Sequence, residues 1–287
     1  MLVKILSVFF IIVKGIAVKL KLLSLALLSS LTLLTACSTS STGRSKIAFI
    51  SPDKLNQMGA SSFEEMKTKE KISTDAKLNA YVQCVADAII KYVPKSAHQG
   101  DWELVVFDSE QVNAFALPGG KIGVYTEILK VAKDQNQLAA IIGHEIGHVI
   151  EGHSNERLSS GQLSQASLAI AGAVLQSQQV EYTNEIMAGL GLGVQYGIIM
   201  PYGRAHEKEA DIIGQDLMAT AGFDPKASVA LWQNMAKLGG QQPPEFMSTH
   251  PAHDTRIRQL TEHLKVSTPL YQAQKIRPNC VNPQSNK

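Results

Sequence analysis

The chain has 287 residues, of which 45% are hydrophobic and 18% charged, and its formal net charge is +2. This length is sufficient for one catalytic domain with a substantial core. The sequence has no basic stretch interleaved with aromatic residues, so we expect no nucleic-acid partner.

The first 36 residues have the pattern of a bacterial lipoprotein signal peptide. Lysines and no acidic residues occupy positions 1–21, and an apolar run of small residues follows at 22–36. The run ends in the letters LTAC, which resemble a lipobox, so Cys37 is predicted to be lipidated and to become the mature N-terminus. A transmembrane anchor is the alternative, although the run is short for a span. Because Ser38 follows the cysteine, we expect sorting to the outer membrane, facing the periplasm.

A polar linker is predicted at residues 38–46, followed by a helical region. Apolar residues at helical spacing predict an amphipathic helix over 75–93, which ends before Pro94. Three strands follow by composition and by the turn Pro118-Gly119-Gly120, at residues 102–108, 112–117 and 121–125.

A strand that lies just before the next helix is a candidate for an exposed edge of the sheet. An extended peptide can pair with such an edge through main-chain hydrogen bonds, and Asn113, Gly119 and Gly120 are assigned to this substrate strand. The alternative is a hairpin with a purely structural role.

The next helix is predicted from about Lys133 or Gln135 to Gly152, and residues 144–148 within it read His-Glu-Ile-Gly-His. Positions four apart lie on one helical face, so His144 and His148 can hold one Zn²⁺. Glu145 then lies beside the metal, where it can take a proton from a bound water. The alternative is a pair of surface histidines with no metal.

Four further segments complete the predicted order. Residues 160–201 are rich in Ala, Gly and Gln, and we expect helices that flank the cleft or form a lid rather than membrane spans. Helices are also predicted over 205–221, from Asp224-Pro225 to about Leu238, and over 254–264, and the tail after Pro269 is expected to be loop-like.

The third metal ligand is predicted to come from helix 205–221. A metzincin site requires a Gly and a His where this chain has Glu151 and Ser154, so that class is excluded. His153 would lie roughly 140° from the face of His148 in a continuous helix, and it is interpreted as a helix-end residue.

Glu207 is the candidate, because it shares a helical face with Ala210, Asp211 and Gly214, whose small members allow close approach of another helix. Asp211 can accept a ring N–H from a ligating histidine. The alternative is that Glu207 belongs to a solvated charge cluster.

These motifs resemble the gluzincin family that contains the CAAX prenyl proteases and HtpX. HEIGH followed by EKEAD (207–211) carries the resemblance, and segments 113–129 and 248–257 extend it, so that it spans about 75–265. The periplasmic lipoprotein branch is the most similar, with LoiP-like proteins closer than BepA-like ones.

The resemblance implies an α+β, mainly helical, zincin-type metallopeptidase domain over 47–287, with a small antiparallel sheet beside the metal helix. It implies one Zn²⁺ per chain, held by His144, His148 and Glu207. It also implies that His250 can occupy the fourth metal position as an autoinhibitory plug. Otherwise His250 and Arg256 are candidate donors to the oxyanion. The alternatives are that His250 is a loop residue and that Arg256 pairs with Asp254 or Glu262.

Two cysteines remain once Cys37 is assigned to lipidation. In an oxidising periplasm Cys84 and Cys280 are predicted to pair, and two buried free thiols are the alternative.

Two functions are open from the sequence. The first is an outer-membrane-anchored zinc metalloendopeptidase acting on unfolded or misassembled envelope proteins. The second is a chaperone or assembly factor with little proteolysis. Outer-membrane assembly machinery or a related protease is a further expected partner.

Overall fold

A computed structural model of the chain describes residues 37–195, 200–238, 250 and 254–283. The predicted signal peptide and most of the loop at 240–253 lie outside the described residues.

The chain divides into two compact units, which meet in sequence between Phe49 and Ile50. In the first unit, strands β1 (Cys37–Thr39) and β2 (Ser45–Ile47) pair as an antiparallel hairpin. The segment predicted as a linker is therefore partly paired.

The second unit begins with two capped helices. Helix α1 (Pro52–Lys69) starts with proline in its first turn, and the hydroxyl of Ser51 accepts a hydrogen bond from the amide of Lys54. Helix α2 (Ala76–Ile90) starts where the Asp75 carboxylate accepts from the amides of Lys77 and Leu78. The predicted amphipathic helix is confirmed to within a few residues.

A three-stranded mixed sheet follows, with the strand order β3-β5-β4. β3 is Glu103–Phe107, β4 is Ala114–Leu117 and β5 is Lys121–Tyr125. β4 and β5 are antiparallel, whereas β3 runs parallel to β5. The prediction of an antiparallel sheet is wrong for that pairing. Because the β4–β5 hairpin occupies one edge of β5, β3 pairs with the other edge.

Four helices come next in the chain. They are α3 (Ile128–Val131), α4 (Gln135–Glu151), α5 (His153–Ser177) and α6 (Thr183–Val194). None of the helices in the described parts of the chain is both long enough and apolar enough to cross a membrane. The segment 160–201 therefore forms helices as expected over the part that is described.

The last helices are α7 (Met200–Thr220), α8 (Lys226–Leu238) and α9 (Asp254–Ala273). α9 continues through Pro269, so the prediction of a loop after that residue is wrong. The reason is tertiary packing, which overrides the local preference of proline. Ser267 is fully buried, and its hydroxyl donates to the side-chain oxygen of Gln215 on α7.

One apolar core joins α2, the sheet and the helices α3, α4, α7, α8 and α9. A smaller aromatic cluster of Phe63, Phe107 and Tyr125 fixes α1 on the sheet. The α+β, mainly helical architecture is the predicted one, and it holds α4 between the sheet and the C-terminal helices.

Candidate active site

Helix α4 carries the metal-binding motif in a buried position. It starts at Asp134, whose carboxylate accepts hydrogen bonds of 2.8 and 2.9 Å from the amides of Asn136 and Gln137. It ends at Gly152, which has φ +69°, a left-handed conformation that glycine adopts without strain. Thirteen of its seventeen residues are buried, so packing holds the motif in place.

α7 crosses α4 at backbone contact, as its small residues predicted. A Cβ placed on Gly214 would lie 2.7 Å from the His144 amide nitrogen. A Cβ on Gly147 would lie 2.9 Å from the Ala210 carbonyl oxygen. These positions accept no larger side chain without moving one helix, so the glycines set the distance at which α7 presents its polar face to the histidines.

Four side chains converge at this crossing, namely His144, His148, Glu207 and His250, all buried. The two Nε2 atoms of His144 and His148 are 3.2 Å apart. The nearest carboxylate oxygens of Glu207 lie 3.3 Å from His144 Nε2 and 3.4 Å from His148 Nε2. His250 Nδ1 lies 3.1 Å from His144 Nε2 and 2.9 Å from Glu207 Oε2.

These distances fit a tetrahedral metal ion. A Zn²⁺ with bonds of about 2.0–2.1 Å needs donor atoms roughly 3.3–3.4 Å apart. Charge agrees with geometry, because the carboxylates of Glu145, Glu207 and Asp211 are buried beside one guanidinium, that of Arg256. A divalent cation bound there would offset the excess of buried carboxylates over guanidinium groups.

The outer side of His144 is held by a buried ion pair. Its Nδ1 lies 3.1 Å from Asp211 Oδ1. Arg256 donates from Nε and from a terminal nitrogen to the two oxygens of Asp211, both at 2.7 Å, and a second terminal nitrogen lies 3.0 Å from Glu207 Oε2. Asp211 thus lies in contact with His144, and its support of a metal ligand stays a prediction.

Trp232 is a component of this group that sequence reasoning missed. The guanidinium carbon of Arg256 lies 3.8 Å from the centre of the tryptophan ring, and the His144 ring meets that ring edge to face at 5.7 Å. Arg256 pairs here with Asp211 and Glu207, which are neither of the two acids that the sequence suggested. A tryptophan on α8 gave no signal in sequence beyond its helical spacing.

The outer side of His148 is held differently, by His153. The two Nδ1 atoms are 2.8 Å apart, and His153 Nε2 is 3.0 Å from Glu209 Oε2. His153 is the first residue of α5, so its interpretation as a helix-end residue holds. It nevertheless reaches His148, because α4 ends at Gly152 and the angle of a continuous helix does not apply.

Glu145 lies beside this cluster of four side chains, with 4% of its surface exposed. Its Oε1 is 3.5 Å from His250 Nε2, too far for a hydrogen bond. A carboxylate aimed at the ligand cluster is positioned to act on a water bound there.

The charges of the site shift the pKa values of its histidines in opposite directions. Burial acts to lower the pKa of His144, but Asp211 and Glu207 outweigh it and raise that pKa to about 9. Burial and the neighbouring His144 lower the pKa of His148 well below its ordinary value. Burial acts to raise the pKa of Glu207, yet His144 and His250 hold it far below its usual range. Both histidines must be neutral to bind a metal, so a metal ion at this site would have to displace a proton from His144.

The edge strand β4 packs against α4. Asn113 directly precedes it, and its carbonyl accepts a hydrogen bond of 3.1 Å from the amide of Tyr125. Gly119 and Gly120 form the turn after β4, with φ values of +84° and +69°. The predicted strand thus lies next to the metal helix, and its role in holding substrate stays a prediction.

The two outlying cysteines are brought together. Cys84 on α2 and Cys280 in the tail have Cα atoms 5.7 Å apart, within the range of a disulfide. The tail is also fastened by Gln135, whose side chain bonds the backbone of Pro278 and Cys280.

A helix with His-Glu-x-x-His, joined by a glutamate from a later helix, is the site of a gluzincin-type metallopeptidase. The chain matches the model of Peptidase family M48 over residues 76–264, and it belongs to that family.

The chain is similar to two kinds of protease. The chain is 36% identical over 165 residues to the mitochondrial metalloendopeptidase OMA1 of Schizosaccharomyces pombe, covering 57% of this chain and 47% of the relative. Its identity to OMA1 of Bos taurus is 32% over 266 residues, which cover 83% of this chain and 47% of the relative. Its identity to the beta-barrel assembly-enhancing protease of Yersinia pestis is 26% over 249 residues, covering 82% and 50%. The chain spans about half the length of these relatives.

Proposed function

We propose that the protein is a zinc-dependent metalloendopeptidase. The observation that carries this proposal is the convergence of His144 Nε2, His148 Nε2 and a Glu207 carboxylate at metal-binding distances, with the Glu145 carboxylate beside them. Nitrogen and carboxylate donors in this number favour Zn²⁺ over Ca²⁺ or Mg²⁺, which prefer oxygen donors.

The chemistry follows from the placement of these residues. A bound Zn²⁺ would supply a Lewis acid that lowers the pKa of a coordinated water. Glu145 would accept the proton of that water and return it to the leaving amine of the peptide. A substrate strand paired with β4 would place its scissile bond along α4.

His250 bears on whether the site is open at rest. Its Nδ1 lies among the donor atoms of the other three residues, where a water ligand would otherwise sit. This placement supports the proposal that His250 plugs the site until substrate arrives. The variant His250→Ala is then expected to raise proteolysis, and a fall in proteolysis would instead assign His250 as a donor to the oxyanion.

The proposed location is the outer membrane, with a lipid on Cys37 and the domain facing the periplasm. The lipobox-like leader supports this, as does similarity to beta-barrel assembly-enhancing proteases of Yersinia pestis and Escherichia coli. Within the family we place the chain in the LoiP-like lipoprotein branch, with misfolded or misassembled envelope proteins as substrates. Membrane fractionation of Cys37→Ala, expected to become soluble, tests the anchor.

A disulfide between Cys84 and Cys280 is part of the same proposal, because an exported domain meets an oxidising compartment. A closed loop of this size stabilises by about 2–5 kcal/mol. If the two cysteines pair, alkylation followed by mass measurement should find neither thiol free before reduction. After reduction, both Cys84 and Cys280 should be alkylated.

The second candidate function is a chaperone or assembly factor for outer-membrane proteins. The position of His250 within the ligand cluster favours it, since a plugged site binds without cutting. Assembly machinery of the outer membrane or a related protease would then be the partner.

A casein digest separates the two functions. Proteolysis is expected from the full chain, to stop with a chelator, to return with Zn²⁺, and to be absent in Glu145→Gln. If Glu145→Gln rescues an envelope defect as well as the wild type does, the assembly factor is correct.

A further inference from the structure

The two ligand histidines of α4 are supported on their outer nitrogens in different ways. His144 faces the carboxylate of Asp211. His148 faces a second imidazole, with its Nδ1 atom 2.8 Å from Nδ1 of His153. In a hydrogen bond between two imidazole nitrogens, one nitrogen must carry the proton and donate, and the other must be unprotonated and accept.

The proposed metal site settles the direction of that hydrogen bond. His148 Nε2 points at the other ligand atoms, so the proton of its neutral ring must be on Nδ1. Nδ1 of His153 is therefore the acceptor, and the proton of its own ring is on Nε2. From there His153 donates to Oε2 of Glu209 at 3.0 Å.

His148, His153 and Glu209, which form this hydrogen-bonded series, are all buried, and neighbouring side chains fix their orientation. His153 has 0% of its surface exposed and Glu209 has 1%. The ring of His206 stacks on that of His153, with centroids 4.2 Å apart and planes at 25°. His206 Nε2 in turn lies 3.0 Å from a carboxylate oxygen of Glu156. His153 has no room to rotate into another pairing.

The backbone explains how His153 reaches this place. Gly152 has φ +69°, which ends α4 and starts α5 in a new direction. His153 therefore turns back onto the face of α4 that carries His148. Glu209 comes from α7, two residues after the proposed ligand Glu207 and next to Ala210 at the crossing.

We propose that His153 and Glu209 form a positioning relay that fixes the proton and ring orientation of His148 and so sets the affinity of the site for its metal. This proposal rests on the proposed metal site. His153 does not touch the metal, and its effect runs through His148. Hydrogen-bond partners of ligand histidines contribute about 10–100-fold in metal affinity in other sites.

A second metal ion at Glu151, His153 and Glu209 is the competing explanation, because these three buried groups also lie close together. The relay is favoured, since both ring nitrogens of His153 already face a partner within 3.0 Å. A metal there would have to displace one of them.

The experiment measures the zinc dissociation constant of the full chain by competition with a chromophoric chelator, and the visible spectrum of the Co²⁺ form. His153→Phe keeps the ring and loses both nitrogens, and it is expected to weaken zinc binding about 10–100-fold and to shift the Co²⁺ bands. His153→Gln restores an acceptor for His148 and a donor for Glu209, so most of the affinity is expected to return. Glu209→Gln, which keeps the shape and removes the charge, is expected to fall between them.

His263→Phe is the matched control. His263 Nε2 lies 2.8 Å from Asp216 Oδ1, and neither residue belongs to the ligand cluster. It should bind zinc as the wild type does. The relay is overturned if His153→Phe and Glu209→Gln bind one zinc with wild-type affinity and give the wild-type Co²⁺ spectrum. It is also overturned if the wild type binds two zinc ions and Glu209→Gln loses only the second. If the wild type binds no zinc, the proposed function itself fails, and the relay fails with it.

Discussion

Helical glycines at the crossing of α4 and α7 and helical glycines in α6 have different surroundings. At the crossing of α4 and α7, a Cβ on Gly143 or Gly214 would lie less than 3 Å from the opposite backbone. In α6, no neighbouring atom of the described residues lies within 4 Å of a Cβ built on Gly189, Gly191 or Gly193. Glycine therefore permits backbone contact in the first region and has no packing role in the second.

The same contrast holds for apolar side chains. α4 buries most of its residues, whereas α6 buries none. The part of α5 after Ser159 and the whole of α6, together called the arm here, expose large apolar side chains, among them Leu163, Ile170, Val174, Leu190 and Leu192. Close packing in this fold is concentrated around the side chains of the candidate site, and none of the residues of the arm belongs to that site.

The largest expected effect separates chemistry from packing at the crossing. Glu145→Gln removes the proton acceptor and keeps the volume of the side chain, so the rate of casein hydrolysis is expected to fall about 10²–10⁴-fold. Zinc content and melting temperature should match the wild type. An active Glu145→Gln enzyme would remove this residue from the mechanism.

The next effect tests the ion pair behind His144. Arg256→Met leaves Asp211 and Glu207 buried without their cation, and it is expected to cost about 3–5 kcal/mol of unfolding free energy in a urea titration. Burial acts to raise the pKa of Asp211, but Arg256 holds it below its ordinary value. Asp211 therefore stabilises the protein at neutral pH, and this stabilisation is lost as pH falls. Lys69→Met, at the exposed pair with Glu65, is the control and should change nothing measurable.

A smaller effect compares the two kinds of glycine directly. Gly214→Ala forces α7 away from His144 and is expected to cost about 1–3 kcal/mol and to weaken zinc binding. Gly189→Ala meets no neighbour and is expected to stabilise by about 0.5–1 kcal/mol, because alanine favours a helix. If both variants stabilise, the close contact at Gly214 is not rigid.

The smallest effect concerns the arm. Ile170 has 66% of its surface exposed, so Ile170→Ala is expected to change the unfolding free energy by no more than about 0.5 kcal/mol. Ile142, fully buried in α4, gives the matched substitution, and Ile142→Ala is expected to cost about 2–5 kcal/mol. Equal costs at the two positions would show that the arm packs against something in solution.

Much of the site could be predicted because it depends on helical periodicity. His144 and His148 at a spacing of four, and Glu207, Asp211 and Gly214 on one face of α7, are positions that a helix brings together whatever surrounds it. The bounds of α2, α4 and α8 followed from caps and apolar spacing in the same way.

The missed features depend on contacts between distant segments. His153 was assigned an angle on a continuous helix, and the left-handed turn at Gly152 made that angle irrelevant. The parallel pairing of β3 with β5 depends on which edge of β5 is free. The continuation of α9 through Pro269 depends on Ser267 packing against α7, which no local pattern of residues contains.

Three residues of the candidate site share one face of α7, and this arrangement has a consequence for the stability of the protein in the cell. Glu207, the proposed metal ligand, Asp211, which contacts His144, and Gly214, which packs against α4, lie on the same side of one helix. A metal bound at the proposed site would therefore add its binding free energy to the stability of the folded protein. A shortage of metal would then shorten the lifetime of the protein against other proteases, so that its abundance follows the metal supply.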